Sequence, residues 1–462
     1  MTTAPKTKLA TNTWLTLGSI LIGTLIGTMG NSMVSIALPS LMQHFEIPLT
    51  SAVWSMTVYT LTFSVFIPIF GVIGPSIGFK RLYMSGILLI IISSLLCVLA
   101  PNFILFLVFR VTLGIGTATI LPTIMGIISQ QVPTEMQGQA TGYWALVNSL
   151  GHAIGPSLGG LLLQHINWQA IFLINIPLGA ISLLLVLRYM IAGKRTTFRG
   201  FDVPGAAALT GLAFCTIFAI TFSAQQGFGS ITSISVWSGA LLSLIFLVIY
   251  ERRAVMPFVN MKLFSNVHYL ACILPISLQA FSQFGLLVSL PFFLIDLRGM
   301  DDQMAGVIIM SMTMVMALIS PLSGRLTDSW GSRKVSQMGT LFVAAATVPF
   351  LGLRYLQLEG WVWGLFILGL LMFGAGFGFI QSSSTVAVIQ AVPRELASAA
   401  SGFFHMLRFI SASLGSTIIG IILEKTTGGI ADGFFISFWL IVALAVVVFP
   451  LLRAMPARVE TA

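Results

Sequence analysis

Apolar residues run along this chain in blocks of roughly 20, the length a helix needs to cross a hydrocarbon core of about 30 Å. Such blocks begin near Trp14, Thr50, Leu82, Phe103, Gly138, Ile171, Pro204, Ser233, Tyr269, Gln303, Val335, Trp361, Ala397 and Gly433. They predict fourteen spans, numbered in chain order. The first is too long, and too promptly followed by others, to be a cleaved signal peptide, so the N-terminus is expected to be mature.

Composition agrees with the pattern. The chain is 57% hydrophobic and only 8% charged, with a mean hydropathy of +1.00, whereas a soluble domain carries roughly 25% charged residues. The fold class is therefore an all-α polytopic membrane protein. Cys97, Cys215 and Cys272 all fall inside apolar runs, which argues against a disulfide framework.

A net charge of +9 invites a nucleic-acid reading, and the placement of the charges rejects it. With the N-terminus in the cytoplasm, seventeen of the 22 Lys and Arg lie on the cytoplasmic side, Arg298, Arg354 and Lys425 lie outside, and Arg110 and Arg408 lie within spans. That asymmetry is the positive-inside rule, and it predicts both termini in the cytoplasm. The three basic residues from Lys194 to Arg199 are a topology signal or an anionic-lipid contact.

Two pairs of turns repeat across the chain. Pro133, Glu135, Ala140 and Gly142 recur at one constant offset as Pro393, Glu395, Ala400 and Gly402; the stretch from Gly71 to Arg81 is echoed from Gly324 to Lys334. Spans 1 to 6 and 9 to 14 are expected to be two copies of one six-helix unit, with spans 7 and 8 inserted. The expected divisions are residues 1–190, a linker of two helices at 191–267, and 268–462. Parallel repeats set a substrate site between the halves near the midplane.

Four stretches carry a resemblance: Gly151, Gly155, Pro156, Gly159 and Gly160 on span 5; Trp168 to Gly179; Phe201 to Gly205 before span 7; and Pro257 to Asn266 before span 9. Together they resemble the fourteen-helix drug:proton antiporter branch of the major facilitator superfamily. The span 5 glycines permit close helix approach and Pro156 permits a bend; the resemblance implies a hinge or seal between halves as well. It also implies a cytoplasmic gate at Gly324, Arg325, Asp328, Gly331, Arg333 and Lys334, with Asp328 pairing Arg325, Arg333 or the next helix N-terminus. A plain basic topogenic loop is the alternative. In the first-half copy Pro75 replaces the acid and Phe79 a basic residue.

The family pattern sets an acid at Gly30 and an Asn at Ser35, and both are lost. All thirteen Asp and Glu fall in loops or at helix ends, Asp296 being the nearest to a membrane carboxylate. Ionisable groups inside a bilayer are functional candidates by default. Those within spans are Arg110, Arg408, His152 and His405, with His405 and Arg408 three apart and Asn148 and His152 four apart, each pair sharing a helix face. Arg110 matches the family's arginine motif, with Leu113 in place of its Gln. Further polar candidates for a cavity are Asn31, Ser35, Gln279, Gln283 and Gln381. The four methionines Met310, Met312, Met314 and Met316 alternate, so they cannot face one way. Backbone-bound arginines and packed histidines are the structural alternatives.

The resemblance implies an alternating-access exporter of amphipathic organic compounds, multidrug efflux by proton antiport. Lacking a buried carboxylate, the chain is expected to favour neutral, zwitterionic or anionic substrates, with His152, His405 or Asp296 carrying any coupled proton. A proton-independent facilitator and a lipid or lipid-carrier flippase are the alternatives. Paired acids, a Cys/His metal cluster and a Gly-x-Ser-x-Gly motif are missing from the sequence, which argues against an enzyme, a cofactor or a metal. The expected partners are a small organic substrate, protons as a candidate coupling ion, and the bilayer; the expected state is a monomer in the plasma membrane.

Overall fold

The computed structural model describes residues 11–131, 134–191, 202–254, 258, 263, 265–352, 361–392, 397–426 and 429–455. The first repeated turn at Pro133, Pro393 to Glu395, the basic run Lys194 to Arg199, the residues around Phe201 and Pro257, and the Asp328 side chain lie outside the described residues.

Span 1 is Thr11–Phe45, span 2 Leu49–Ile77 and span 3 Phe79–Val98. Span 4 comes in two pieces, Phe103–Ala118 and Ile120–Gln131, and span 5 is Thr134–His165. Span 6 is likewise divided, into Ala170–Leu173 and Asn175–Tyr189; spans 7 and 8 are Val203–Gln226 and Ile231–Glu251. Span 9, Val267–Pro291, ends in a π turn over Phe292–Asp296. The remaining spans are Asp302–Trp330, Ser332–Gly352, Trp361–Gln390, Ala397–Lys425 and Gly429–Leu451. Among the described residues thirteen helices are long and apolar enough to cross a membrane. The expected span not among them, span 11 (Ser332–Gly352), packs as a full helix against spans 12 and 14, and its polar first turn and undescribed continuation keep it short of that measure.

Lipid offers backbone groups no partners, so helices satisfy their own. Many Ser and Thr hydroxyls do the same by donating to a carbonyl three or four residues back, as Thr24 does to Ile20 and Thr340 to Ser336.

The repeat is visible in the contacts. Spans 2 and 10 each end on a glycine in the left-handed region, Gly78 at φ 93° and Gly331 at φ 85°, where a Cβ would be strained. Two residues on, a basic side chain caps the last carbonyls of the final helix of its half. Lys80 Nζ donates to the Met190 carbonyl at 2.6 Å, and Arg333 donates to the Met455 carbonyl from Nε at 2.9 Å and Nη2 at 2.6 Å. Close helix approach repeats too. Gly86 and Gly116 face each other's carbonyls across spans 3 and 4, as Gly339 and Gly376 do across spans 11 and 12.

The halves meet along two seams. Spans 2 and 13 touch from the Thr50 amide on Glu424, through Gly420 against Val53 and Thr57 between Ser416 and Thr417, to Phe63 against Phe409. On the other seam, Gly160 abuts the Asp302 backbone and Gly306 abuts Pro156. The molecule is thus closed at the end away from the termini. Span 7 lies over the first seam, with Phe218 stacked on Trp54 at 4.4 Å and Ala213 and Ile217 packed on Leu61 and Val65. Span 8 lies outside it and is largely exposed.

Candidate functional site

A cavity partly open to its surroundings sits between the halves; its empty space of about 720 Å³ includes that opening. Span 1 supplies Gly23, Thr24, Gly27, Thr28 and Asn31; spans 2 and 4 supply Tyr59, Thr60, Phe63, Thr117, Ile120 and Leu121. Trp144, Asn148 and His152 come from span 5, Phe284 from span 9, and His405, Arg408 and Phe409 from span 13. Most of these lie near the middle of their helices, so the cavity sits near mid-membrane. Among these lining residues there is no carboxylate.

The two membrane arginines have different surroundings. Arg110 is fully buried and does not line the cavity. Its Nε donates to the Ser55 carbonyl at 2.7 Å and its Nη2 to Asn31 Oδ1 at 3.1 Å, and its guanidinium lies 4.4 Å from the Tyr59 ring centroid. Asn31 passes the chain on, donating from Nδ2 to Thr60 Oγ1 at 2.9 Å. Arg110 therefore stands behind the wall and orients two side chains, Asn31 and Tyr59, that form it. The Tyr59 hydroxyl in turn donates to the Gly27 carbonyl at 3.0 Å.

Arg408 is 7% exposed and lines the cavity. Nη2 donates to Gln381 Oε1 at 3.1 Å, its guanidinium lies 5.4 Å from the Phe409 centroid, and Nε has no hydrogen-bond partner among the described residues. His152 from one half and His405 from the other line the same cavity as Arg408. A guanidinium spends its donors on whatever oxygens are near. Arg110 has a backbone carbonyl; Arg408 has one amide side chain and open space.

Not every residue expected at the cavity reaches it. Ser35 is buried and donates to the Ser32 carbonyl at 2.7 Å. Gln279 donates to Gln283 within span 9; both are buried, and neither lines the cavity. Gln381 reaches it only through Arg408. Asp296 is exposed at the far end of span 9. The alternating methionines divide as the period demands, with Met312 and Met316 buried and Met310 and Met314 partly exposed.

The gate residues are also placed. Gly324 has open space around it, Arg325 and Lys334 are exposed, and Arg333 is committed to Met455. The span 5 glycines take different partners. Gly151, Gly155 and Gly159 pack on Thr28, Ser32 and Met33 of span 1, within the half, while Gly160 and Pro156 face span 10 across the seam.

Sequence reasoning missed the aromatic lining, namely Tyr59, Phe63, Trp144, Phe284 and Phe409, and the hydroxyls Thr24, Thr28, Thr60 and Thr117. In an apolar run such residues look like packing. The adjacency of Phe409 to Arg408 was the one available signal.

A mid-membrane cavity lined from both halves of a many-helix bundle defines a membrane transport protein rather than a catalyst. The chain belongs to the Major Facilitator Superfamily, whose sequence profile matches residues 20–416. It is 28% identical over 413 residues to a riboflavin transporter of Clostridioides difficile, covering 87% of this chain and 86% of that one. It is 27% identical over 428 residues to a tetracenomycin C resistance and export protein of Streptomyces glaucescens, covering 92% of this chain and 79% of the relative. Among solved structures, an inward-facing, unoccupied bacterial homolog of the human lysosomal transporter Spinster aligns with a TM-score of 0.66 at 16% identity, covering 98% of this chain and 100% of that one. That last likeness is one of fold.

Proposed function

We propose that this protein is an exporter of the fourteen-helix drug:proton antiporter branch, moving amphipathic organic compounds by alternating access between residues 1–190 and 268–462, with 191–267 as the inserted linker. The observation that carries the reading is the shared cavity, to which both halves contribute ionisable side chains and neither contributes an acid. A cation would meet Arg408 with no counter-ion, so neutral, zwitterionic or anionic substrates fit. The name of the resistance and export relative supports efflux, and that of the riboflavin relative supports an organic substrate. His152 and His405 are the proposed proton carriers, one from each half. The charge asymmetry supports both termini in the cytoplasm, on which reading the closed end is the extracellular one; the proposed location is the plasma membrane and the proposed state a monomer.

One observation favours a second reading. With no carboxylate in the cavity lining, a proton-independent facilitator or lipid flippase would use the same walls. Proteoliposomes with an internal pH dye separate these. Substrate-driven proton movement lost in His152→Ala or His405→Ala supports antiport; substrate movement with no proton signal leaves the facilitator.

A further inference from the structure

The reading above leaves the substrate's chemistry open, and the contrast between the two arginines narrows it. Arg110 is the internal control. It shows what this fold does with a guanidinium that serves structure, which is to hold it by a backbone carbonyl, an amide and an aromatic face behind the cavity wall that the last two form. Arg408 has the same chemistry and a different disposition. It is more than nine-tenths buried, and its Nε, like Nη1 of Arg110, has no partner among the described residues; of the two, only Arg408 borders the cavity, where a ligand could take up unused donors. A buried donor left unmade is costly unless something arrives to take it.

The wall that Arg408 shares carries flat aromatic faces among its polar side chains. Phe409 lies beside the guanidinium and meets Phe63 of the other half edge-to-face at 4.8 Å. Tyr59 is parallel to Phe63 at 6.3 Å, and Trp144 and Phe284 complete the aromatic lining. Aromatic walls hold planar ring systems by stacking and edge contacts. Arg110 adds a second positive charge behind the Asn31 and Tyr59 wall, and no lining acid offsets either charge.

We propose that Arg408 seats the ionised acidic group of a planar aromatic amphiphile, a carboxylate, sulfonate or enolate, whose rings lie against Phe63, Phe409 and Trp144. The proposal rests on the transporter reading for its biological meaning and on the geometry of the cavity for its chemistry. Charge-assisted contacts to a guanidinium are directional and stronger than neutral ones, so the seat selects by charge among molecules of one shape.

Two xanthene dyes of near-equal shape test this, fluorescein as the anion and rhodamine 123, whose carboxyl is a methyl ester, as the cation. Binding to the purified full chain in lipid nanodiscs is read by fluorescence anisotropy. The expected result is fluorescein bound at least about tenfold more tightly than rhodamine 123, weakening with added salt as the charge is screened. Arg408→Gln is expected to abolish the preference and Arg408→Lys to keep part of it, since the charge stays while the planar fork is lost. Equal or stronger binding of rhodamine 123 by the parent chain overturns the proposal without any variant. So does a fluorescein preference that survives Arg408→Gln in a monodisperse sample. Dye movement in proteoliposomes is scored separately. If both dyes cross with no anion preference, the transporter reading stands and the seat falls; if fluorescein binds through Arg408 and nothing crosses, the seat stands and the transporter reading falls.

Discussion

Arg110 uses its guanidinium as a fork. Nε takes the Ser55 carbonyl from one side and Nη2 takes Asn31 from another, and a lysine ammonium cannot fill both positions. Arg110→Lys is therefore expected to lower stability by about 1–3 kcal/mol, the worth of one buried charged hydrogen bond. It should also leave dye preference in place, because Arg110 does not line the cavity. Thermal unfolding of the purified variant beside dye binding checks both halves of that statement; a lost preference with unchanged stability would contradict it. At this scale the sequence was informative about which side chains are unusual and much less so about where they point. Arg110 and Arg408 were equally conspicuous as charges inside apolar runs. Only the fold separates them, since one lies on the face of span 4 turned into its own half and the other on the face of span 13 turned to the partner half. Gln279 and Gln283 show the same limit. They share a helix face as their spacing requires, yet span 9 is the most buried of the spans, so a polar face there need not be a cavity face.

Whole elements were easier to read. A bilayer forces long apolar runs, and the starts of the spans follow from that alone. The break at Thr119 in span 4 was missed although its cause is in the sequence, since Pro122 lacks the N–H that would bond the Ala118 carbonyl. The glycines on span 5 left two readings open, packing or a seal between halves, and the contacts divide them by position. Gly306 faces Pro156, and Gly160 faces Asp302, across the seam; Gly86 faces Gly116 inside one half. Gly306→Val is therefore expected to hold the closed end apart and cut transport tenfold or more while changing unfolding temperature little, since the strain is relieved when the halves part. Gly86→Val has no such relief, so it is expected to cost about 1–3 kcal/mol of stability, as overpacking does. Transport and unfolding measured on both variants decide it, and equal stability losses would return both glycines to plain packing. A milder test addresses the repeated caps. Lys80→Ala removes a donor from the last carbonyls of span 6, and a cost of about 0.3–1 kcal/mol is expected from the helix-end interaction. Thermal unfolding in lipid at low and high salt would show it, with the difference shrinking as salt rises.

For the molecule as a whole, the closed end is a set of contacts that must part together if the halves rock. Thr50 leaves Glu424, Thr57 leaves Ser416 and Thr417, and Gly420 leaves Val53. The last pair can be locked. A Cβ built on Gly420 would lie 3.5 Å from that of Val53, at the short edge of the range a disulfide bridges, which is about 3.5–4.5 Å. The double variant Val53→Cys with Gly420→Cys is therefore expected to cross-link under mild oxidation. Native Cys97 and Cys272 are buried and distant in sequence, and the matching single variants control for them. If alternating access is the mechanism, the cross-linked protein is expected to retain less than about a tenth of parental transport and to regain it with reductant, because the rocking of one half against the other is blocked at this end. Fluorescein binding in the same oxidised sample should persist if the cavity is reachable with the far end shut. Transport at the parental rate through a fully cross-linked chain would mean that these contacts never open, and the two-half rocking would have to be abandoned. Loss of transport with binding intact would instead identify the span 2 and span 13 seam as the gate that motion must pass.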